Sequence, residues 1–157
     1  MAFQLTSPVF QSGEAIPSKY TCDGANVSPP LTWNQLPKNA QSLALIMDDP
    51  DAPKGTWTHW VVYNLAPTLE SLPEDFPASN PNAMQALNSY QHARYEGPCP
   101  PGNAQHTYHF RLYALDQVIE VRPGATYEQV VGAMRGHIVA SVELTATYAR
   151  QGAKTVR

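Results

Sequence analysis

Residues 48–60, DDPDAPKGTWTHW, bring three carboxylates, two prolines, two tryptophans and a histidine into thirteen positions. Asp49 and Ala52 each precede a proline, which pushes their backbone out of the α region. Carboxylates in such a turn accept hydrogen bonds from nearby amides as Asx-turns. Placed beside His59, the same carboxylates also suit a polar site. Residues 95–110, YEGPCPPGNAQHTYHF, repeat the design. Gly97, Pro98, Pro100, Pro101 and Gly102 make a stiff loop that leads into His106, with Tyr108 on the same strand face. Unpaired N–H groups at Gly97 and Cys99 would form a small anion-binding concavity.

Taken singly, each cluster reads as a proline-rich turn next to a strand. Together they imply one cavity holding Asp49, His59, His106 and Tyr108. Imidazole titrates near neutrality, so two facing rings can donate to a phosphate or carboxylate and gain charge as it binds. Asp49 would orient one ring or accept from an ammonium group. Two other chemistries use the same residues. A hydrolase would take Asp49, His59 and His106 as acid and base with Cys99 as nucleophile, although no Gly-x-Ser-x-Gly elbow accompanies them. A zinc site would need more ligands than two histidines and Asp49. No metal or cofactor is expected. His92 and His137 are incidental to the site, and His137 suits a helix C-terminus. Trp33, Trp57 and Trp60 read as core residues, with the pocket's rim as an alternative place for Trp57.

The elements that must position these groups are mostly strands. SLALIM (42–47) and THWVVYNL (58–65) are apolar and β-branched runs, the second placing His59 on a face with Val61, Tyr63 and Leu65. HTYHFRLYAL (106–115) and IVASVELTATY (138–148) alternate with period two. Shorter strands are expected around Leu5, Phe10 and 31–33. TYEQVVGAMRGH predicts one amphipathic helix, opened by a Thr126–Gln129 capping box and closed by Gly136 at C′. The proline-punctuated connection 66–101 leaves room for a second short helix near NAMQALN (82–88).

Bulk properties narrow the partners. The chain has 157 residues, which suits a single domain over 1–157, and a formal charge of −3. That balance, with no basic run, argues against nucleic acid. No apolar run is long enough to span a bilayer, and the start shows no signal-peptide pattern. Cys22 and Cys99 are too few for a disulfide framework, so reduced thiols in a cytoplasm are expected. Fifteen prolines, nearly twice the roughly 5 % average usage, predict ordered loops and few long helices.

DPDAP followed by HW, and GPCPP followed by HTYHFRLYALD, resemble the two signatures of the phosphatidylethanolamine-binding protein family. CDGANVSPPLTW (22–33) and GHIVASVELTATY (136–148) resemble its bacterial, Raf-kinase-inhibitor-like branch. The resemblance covers about residues 5 to 149. It implies a mainly β fold, an antiparallel β-sandwich with one or two peripheral α-helices. It also implies an anion pocket built from Asp49, Asp51, Pro53, His59, Gly97, Cys99, Pro100, His106 and Tyr108, with a cis peptide at Pro53 and another expected within 50–58. The ligand would be a small phosphorylated or carboxylate molecule, such as a phosphoethanolamine-like headgroup. Occupancy would then modulate a protein kinase or protease partner, and a homodimer is expected from the branch. Two departures stand out: Thr107 replaces the arginine usual after the second histidine, and Cys99 replaces a glycine or alanine. The long C-terminal helix of eukaryotic members is not expected, which implies a more open pocket or one closed by another subunit.

Overall fold

The computed structural model describes residues 2–79 and 83–150. Nine strands follow in chain order: β1 (Gln4–Thr6), β2 (Glu14–Ala15), β3 (Leu31–Asn34), β4 (Ser42–Asp49), β5 (Trp57–Leu65), β6 (Ser71–Leu72), β7 (Met84–Ala86), β8 (His106–Leu115) and β9 (Ile138–Tyr148). One α-helix, α1 (Tyr127–Met134), lies between β8 and β9. The large sheet runs β2-β9-β8-β4-β5-β7 and the small one β1-β3-β6. All pairings are antiparallel except β2 with β9.

Two apolar layers explain this arrangement. On one face of the large sheet Leu43, Leu45, Met47, Trp60, Phe110 and Leu112 meet Leu5, Leu31 and Trp33 of the small sheet. On the other face Ala44, Ile46, Val61 and Tyr63 pack against Val130 and Met134 of α1. The period-two alternation of β4 divides its residues between these layers, so both of its faces are buried and the strand sits at the centre of the sheet. The four long strands and the helix fall where the residue pattern puts them. The Thr126 side chain accepts from the Gln129 amide, the Gln129 side chain answers to the Thr126 amide, and Gly136 ends the helix at φ +80°.

Several expectations are corrected. Met84–Ala86, within the stretch expected to be a second helix, is a strand on the edge of β5; Asn82 lies outside the described residues. Three residues carry no helical period, and the open edge of β5 offers them hydrogen bonds. Phe10 is buried but belongs to no strand. Every described peptide bond is trans, including Pro53. Cys22 and Cys99 form a disulfide and no free thiol remains, in place of the reduced pair expected. The cysteines lie 77 residues apart in sequence, and such a separation gives no local signature of pairing.

Candidate functional site

Antiparallel pairing places the exit of one strand beside the entry of its neighbour. β4 ends at Asp49, β5 begins at Trp57 and β8 begins at His106, so all three meet at one end of the large sheet. A cavity of about 260 Å³ opens there. Asp49, His59, His106 and Tyr108 line its sheet side, Pro53, Cys99 and Pro100 its loop side. Seven of the nine expected site residues therefore surround one hollow.

His59 reaches it by a device that alternation alone misplaces. In the β4–β5 register Met47 pairs with Trp60 but Asp48 pairs with Thr58, so His59 is one extra residue, a β-bulge. The bulge turns His59 away from Val61 and Tyr63, which stay in the helix-side layer, and toward Tyr108, 5.4 Å away edge-to-face. A second irregularity, between Leu43 and Leu45, puts Leu65 in the other layer as well. The shared face of His59, Val61, Tyr63 and Leu65 is thus not formed.

Both imidazoles are held by their Nδ1 atoms. His59 Nδ1 lies 2.6 Å from the Glu96 carbonyl oxygen, which only accepts, so this nitrogen carries the proton. His106 Nδ1 lies 2.6 Å from Asp49 Oδ2. Each ring's Nε2 makes no hydrogen bond within the described residues and is left to the cavity. Burial pushes the His59 pKa below the usual imidazole value, against the Glu96 carbonyl and the nearby Asp49 carboxylate, which favour the charged ring. Tyr108 is fully buried between the rings, stacked 6.3 Å from His106. Among the described residues, its hydroxyl is the one buried side-chain polar atom without a hydrogen-bond partner. Burial first, then the Asp49 charge, raises its pKa.

Asp51 and Gly97 do not line the cavity. The Asp49 Oδ1 accepts from the Asp51 amide at 2.8 Å, the Asx-turn expected of this loop. Asp51 Oδ2 accepts from the Thr107 amide at 2.9 Å and so clasps the 50–56 loop to β8. The Gly97 amide is not free for an anion: it donates to Asn26 Oδ1 at 2.8 Å. A side chain at position 97 would collide with the Tyr20 carbonyl oxygen, so glycine is there for close approach of two loops. Cys99 lines the wall, but its sulfur is committed to Cys22, which removes it as a thiol nucleophile.

Residue reading missed Tyr90 and undervalued Trp57. These half-exposed rings meet edge-to-face at 5.2 Å and form the lip of the cavity with Lys54 and Gly55. Tyr90 is placed by buried Asn88, whose Oδ1 accepts from the Tyr90 and His92 amides and whose Nδ2 donates to the His59 and Arg94 carbonyls. Asn-Ser before a tyrosine in a proline-rich connection was the available signal for this turn. His92 and His137 sit away from the cavity, paired with Glu96 at 2.7 Å and Asp116 at 2.9 Å.

Comparison with known proteins identifies the family. The family model described as phosphatidylethanolamine-binding protein matches residues 6–149. The chain belongs to the phosphatidylethanolamine-binding protein family. A UPF0098 protein of Chlamydia pneumoniae is 49 % identical over 150 residues, covering 92 % of this chain and 97 % of that one. Another, from Methanothermobacter thermautotrophicus, is 46 % identical over 149 residues, covering 93 % and 98 %. Among solved structures, a putative phosphatidylethanolamine-binding protein homologue from Chlamydia trachomatis superposes with a TM-score of 0.88 at 45 % identity, covering 95 % of this chain and 98 % of that one. YbcL of Escherichia coli, described as a member of the mammalian family, superposes at 0.86 with 32 % identity, covering 94 % and 98 %. The mainly β sandwich is therefore the family fold. No helix among the described residues is long and apolar enough to cross a membrane.

Proposed function

We propose that this family member binds a small ligand through a phosphate or carboxylate group, with a phosphoethanolamine-like headgroup as the model compound. The observation that carries this reading is the pairing of His59 and His106 around one cavity. Each Nδ1 is spent on an acceptor and each Nε2 is open. A neutral ring held this way offers a lone pair from Nε2, which repels an oxyanion. Capture of a dianion therefore takes up a proton on one ring, or selects the protonated monoanion, whose hydroxyl donates to Nε2. In either case affinity rises as pH falls, by up to about tenfold per pH unit for one linked proton. Asp49 fixes the His106 ring and disperses the charge that His106 gains. Lys54 at the lip adds a positive charge toward the ligand.

Titration with phosphoethanolamine, inorganic phosphate and ethanolamine, followed by the ring resonances of His59 and His106, tests this reading. Both rings should respond to the two phosphates and neither to ethanolamine. A response from ethanolamine alone contradicts it. Occupancy would modulate a kinase or protease partner through the Trp57–Tyr90 lip.

A second reading is favoured by one specific contact, the 2.6 Å Asp49–His106 pair, which has the form of a carboxylate orienting a general base. With Cys99 in a disulfide, a hydrolase here would activate water. Turnover of a phosphoester that disappears in His106→Ala supports that reading over simple binding. The disulfide also removes the reduced-thiol argument for a cytoplasmic setting and favours an oxidising compartment.

A further inference from the structure

We propose that the Cys22–Cys99 disulfide is a redox control on the ligand cavity, holding its wall in the binding-competent position in the oxidised protein and loosening it when reduced. Cys99 and Pro100 form one wall of the cavity, and His106 stands at the end of the same segment. The chain just before Cys99 is pinned without the disulfide. Tyr95 Oη donates to the Tyr20 carbonyl at 2.6 Å, the Gly97 amide to Asn26 Oδ1 at 2.8 Å, and the Cys22 amide to the Pro98 carbonyl at 3.1 Å. From residue 99 to residue 105 the only hydrogen bond among the described residues is internal, Ala104 N–H to the Pro101 carbonyl at 3.4 Å. The next anchors are the His106 ring on Asp49 and the Thr107 amide on Asp51. Beyond Pro98, the sulfur bridge is the one covalent or hydrogen-bonded tether between this wall and the 20–26 loop among the described residues.

Both cysteines are partly exposed, so a small or protein dithiol can reach them. A thiolate of the dithiol attacks one sulfur and gives a mixed disulfide. Its second thiol then displaces the protein sulfur. Cys22 and Cys99 leave as two thiols, the dithiol becomes a disulfide, and two electrons and two protons pass to the protein. The core loses nothing, because β4, β5, β8 and β9 are joined by their own ladders. What changes is the conformational freedom of residues 99–105, which a ligand must then suppress in order to bind. An anion receptor built this way would be competent in an oxidising compartment and weak in a reducing one.

The ligand readout rests on the phosphate-binding reading, so the test carries a second readout that does not. Phosphoethanolamine affinity, backbone order parameters from NMR relaxation and amide hydrogen exchange are measured on the oxidised protein, on the protein after dithiol reduction, and on Cys22→Ser/Cys99→Ser. Reduction and the double substitution should each weaken affinity at least about fivefold, and reoxidation of the reduced protein should restore it. Backbone order parameters should fall at Cys99 and at residues 102–105, whose exposed amides have little exchange protection to lose, while the amides of β4, β8 and β9 stay protected. Unchanged order parameters at 102–105 overturn the proposal whether or not the probe binds. Equal affinity of the oxidised and reduced forms overturns it too. Global loss of protection on reduction also overturns it, since the bridge would then hold the fold and not the pocket. If no form binds the probe while order parameters at 102–105 still fall on reduction, the phosphate reading fails and the redox-controlled wall stands.

Discussion

Asp48 and Asp49 are consecutive residues of β4, yet they serve opposite faces of the large sheet. Asp48 accepts from Arg111 at 3.2 and 3.3 Å on the helix side, and Arg111 reaches on to Glu143 at 2.6 Å. Asp49 turns to the other face and holds His106 at 2.6 Å. Strand alternation makes this division unavoidable. One carboxylate braces the sheet and its neighbour equips the cavity.

The two should therefore separate on mutation. Asp49→Asn leaves the His106 ring without its charged partner, and phosphoethanolamine affinity should fall about tenfold or more, the loss of one charge-assisted hydrogen bond. Asp48→Asn should leave affinity within about twofold and instead cost about 1–3 kcal/mol in urea unfolding, from the weakened Arg111 contact. Calorimetric titration and denaturation of both variants check the pair. Matching losses of affinity would show that the two carboxylates act as one.

The orphaned hydroxyl of Tyr108 sets a second expectation. A buried donor without a partner costs about 1–3 kcal/mol. The Asp49 charge is near enough to raise the pKa of this group, but no hydrogen bond of acceptable geometry joins them. Tyr108→Phe should therefore leave the ligand-free protein as stable as the parent or more so, a result read from thermal unfolding. If its phosphoethanolamine affinity falls at the same time, the hydroxyl is satisfied by the ligand.

His59 gives the pH dependence of stability. Its folded pKa lies below the ordinary value of 6.5 because the ring is buried. Above 6.5 neither the folded nor the unfolded state binds the proton, and this group contributes no slope. Below 6.5 the unfolded chain binds the proton and the folded ring does not, so stability falls as pH drops toward the folded pKa, at most about 1.4 kcal/mol per pH unit. Denaturation between pH 8 and 5 should show this loss, and His59→Gln should flatten it whatever its own midpoint.

Gly97 sets an expectation at the loop contact that frames the cavity. Gly97→Ala would drive a methyl group into the Tyr20 carbonyl, a rigid backbone atom. The loops must separate, and the variant should lose about 2–3 kcal/mol. A stable, well-folded variant would show that the approach of the two loops is not required.

These features differ in how far the sequence announces them. β4 and β5 follow from apolar and β-branched runs, β8 and β9 from alternation, and α1 from a capping box, all local patterns that survive burial. The union of Asp49, His59, His106 and Tyr108 is legible because each comes with a proline-stiffened loop beside a strand end. The bulge at His59 is not, since one inserted residue leaves the composition of β5 unchanged while it reverses the face. Asp51 and Gly97 sit inside the right motifs and do other work, one clasping Thr107 and the other giving room for a loop contact. Tyr90 arrives from a connection whose shape depends on the buried amide of Asn88. The Cys22–Cys99 bridge depends on two loops meeting in space, which no local spacing encodes.

The measurement that tests the account most directly is calorimetric titration of phosphoethanolamine in buffers of different ionisation enthalpy at pH 7. With each Nδ1 bound to an acceptor and each Nε2 facing the ligand, binding is expected to draw protons from the buffer, and affinity to weaken from pH 6 to pH 8. Binding with no net proton uptake and no pH dependence over that range would contradict the two-imidazole site.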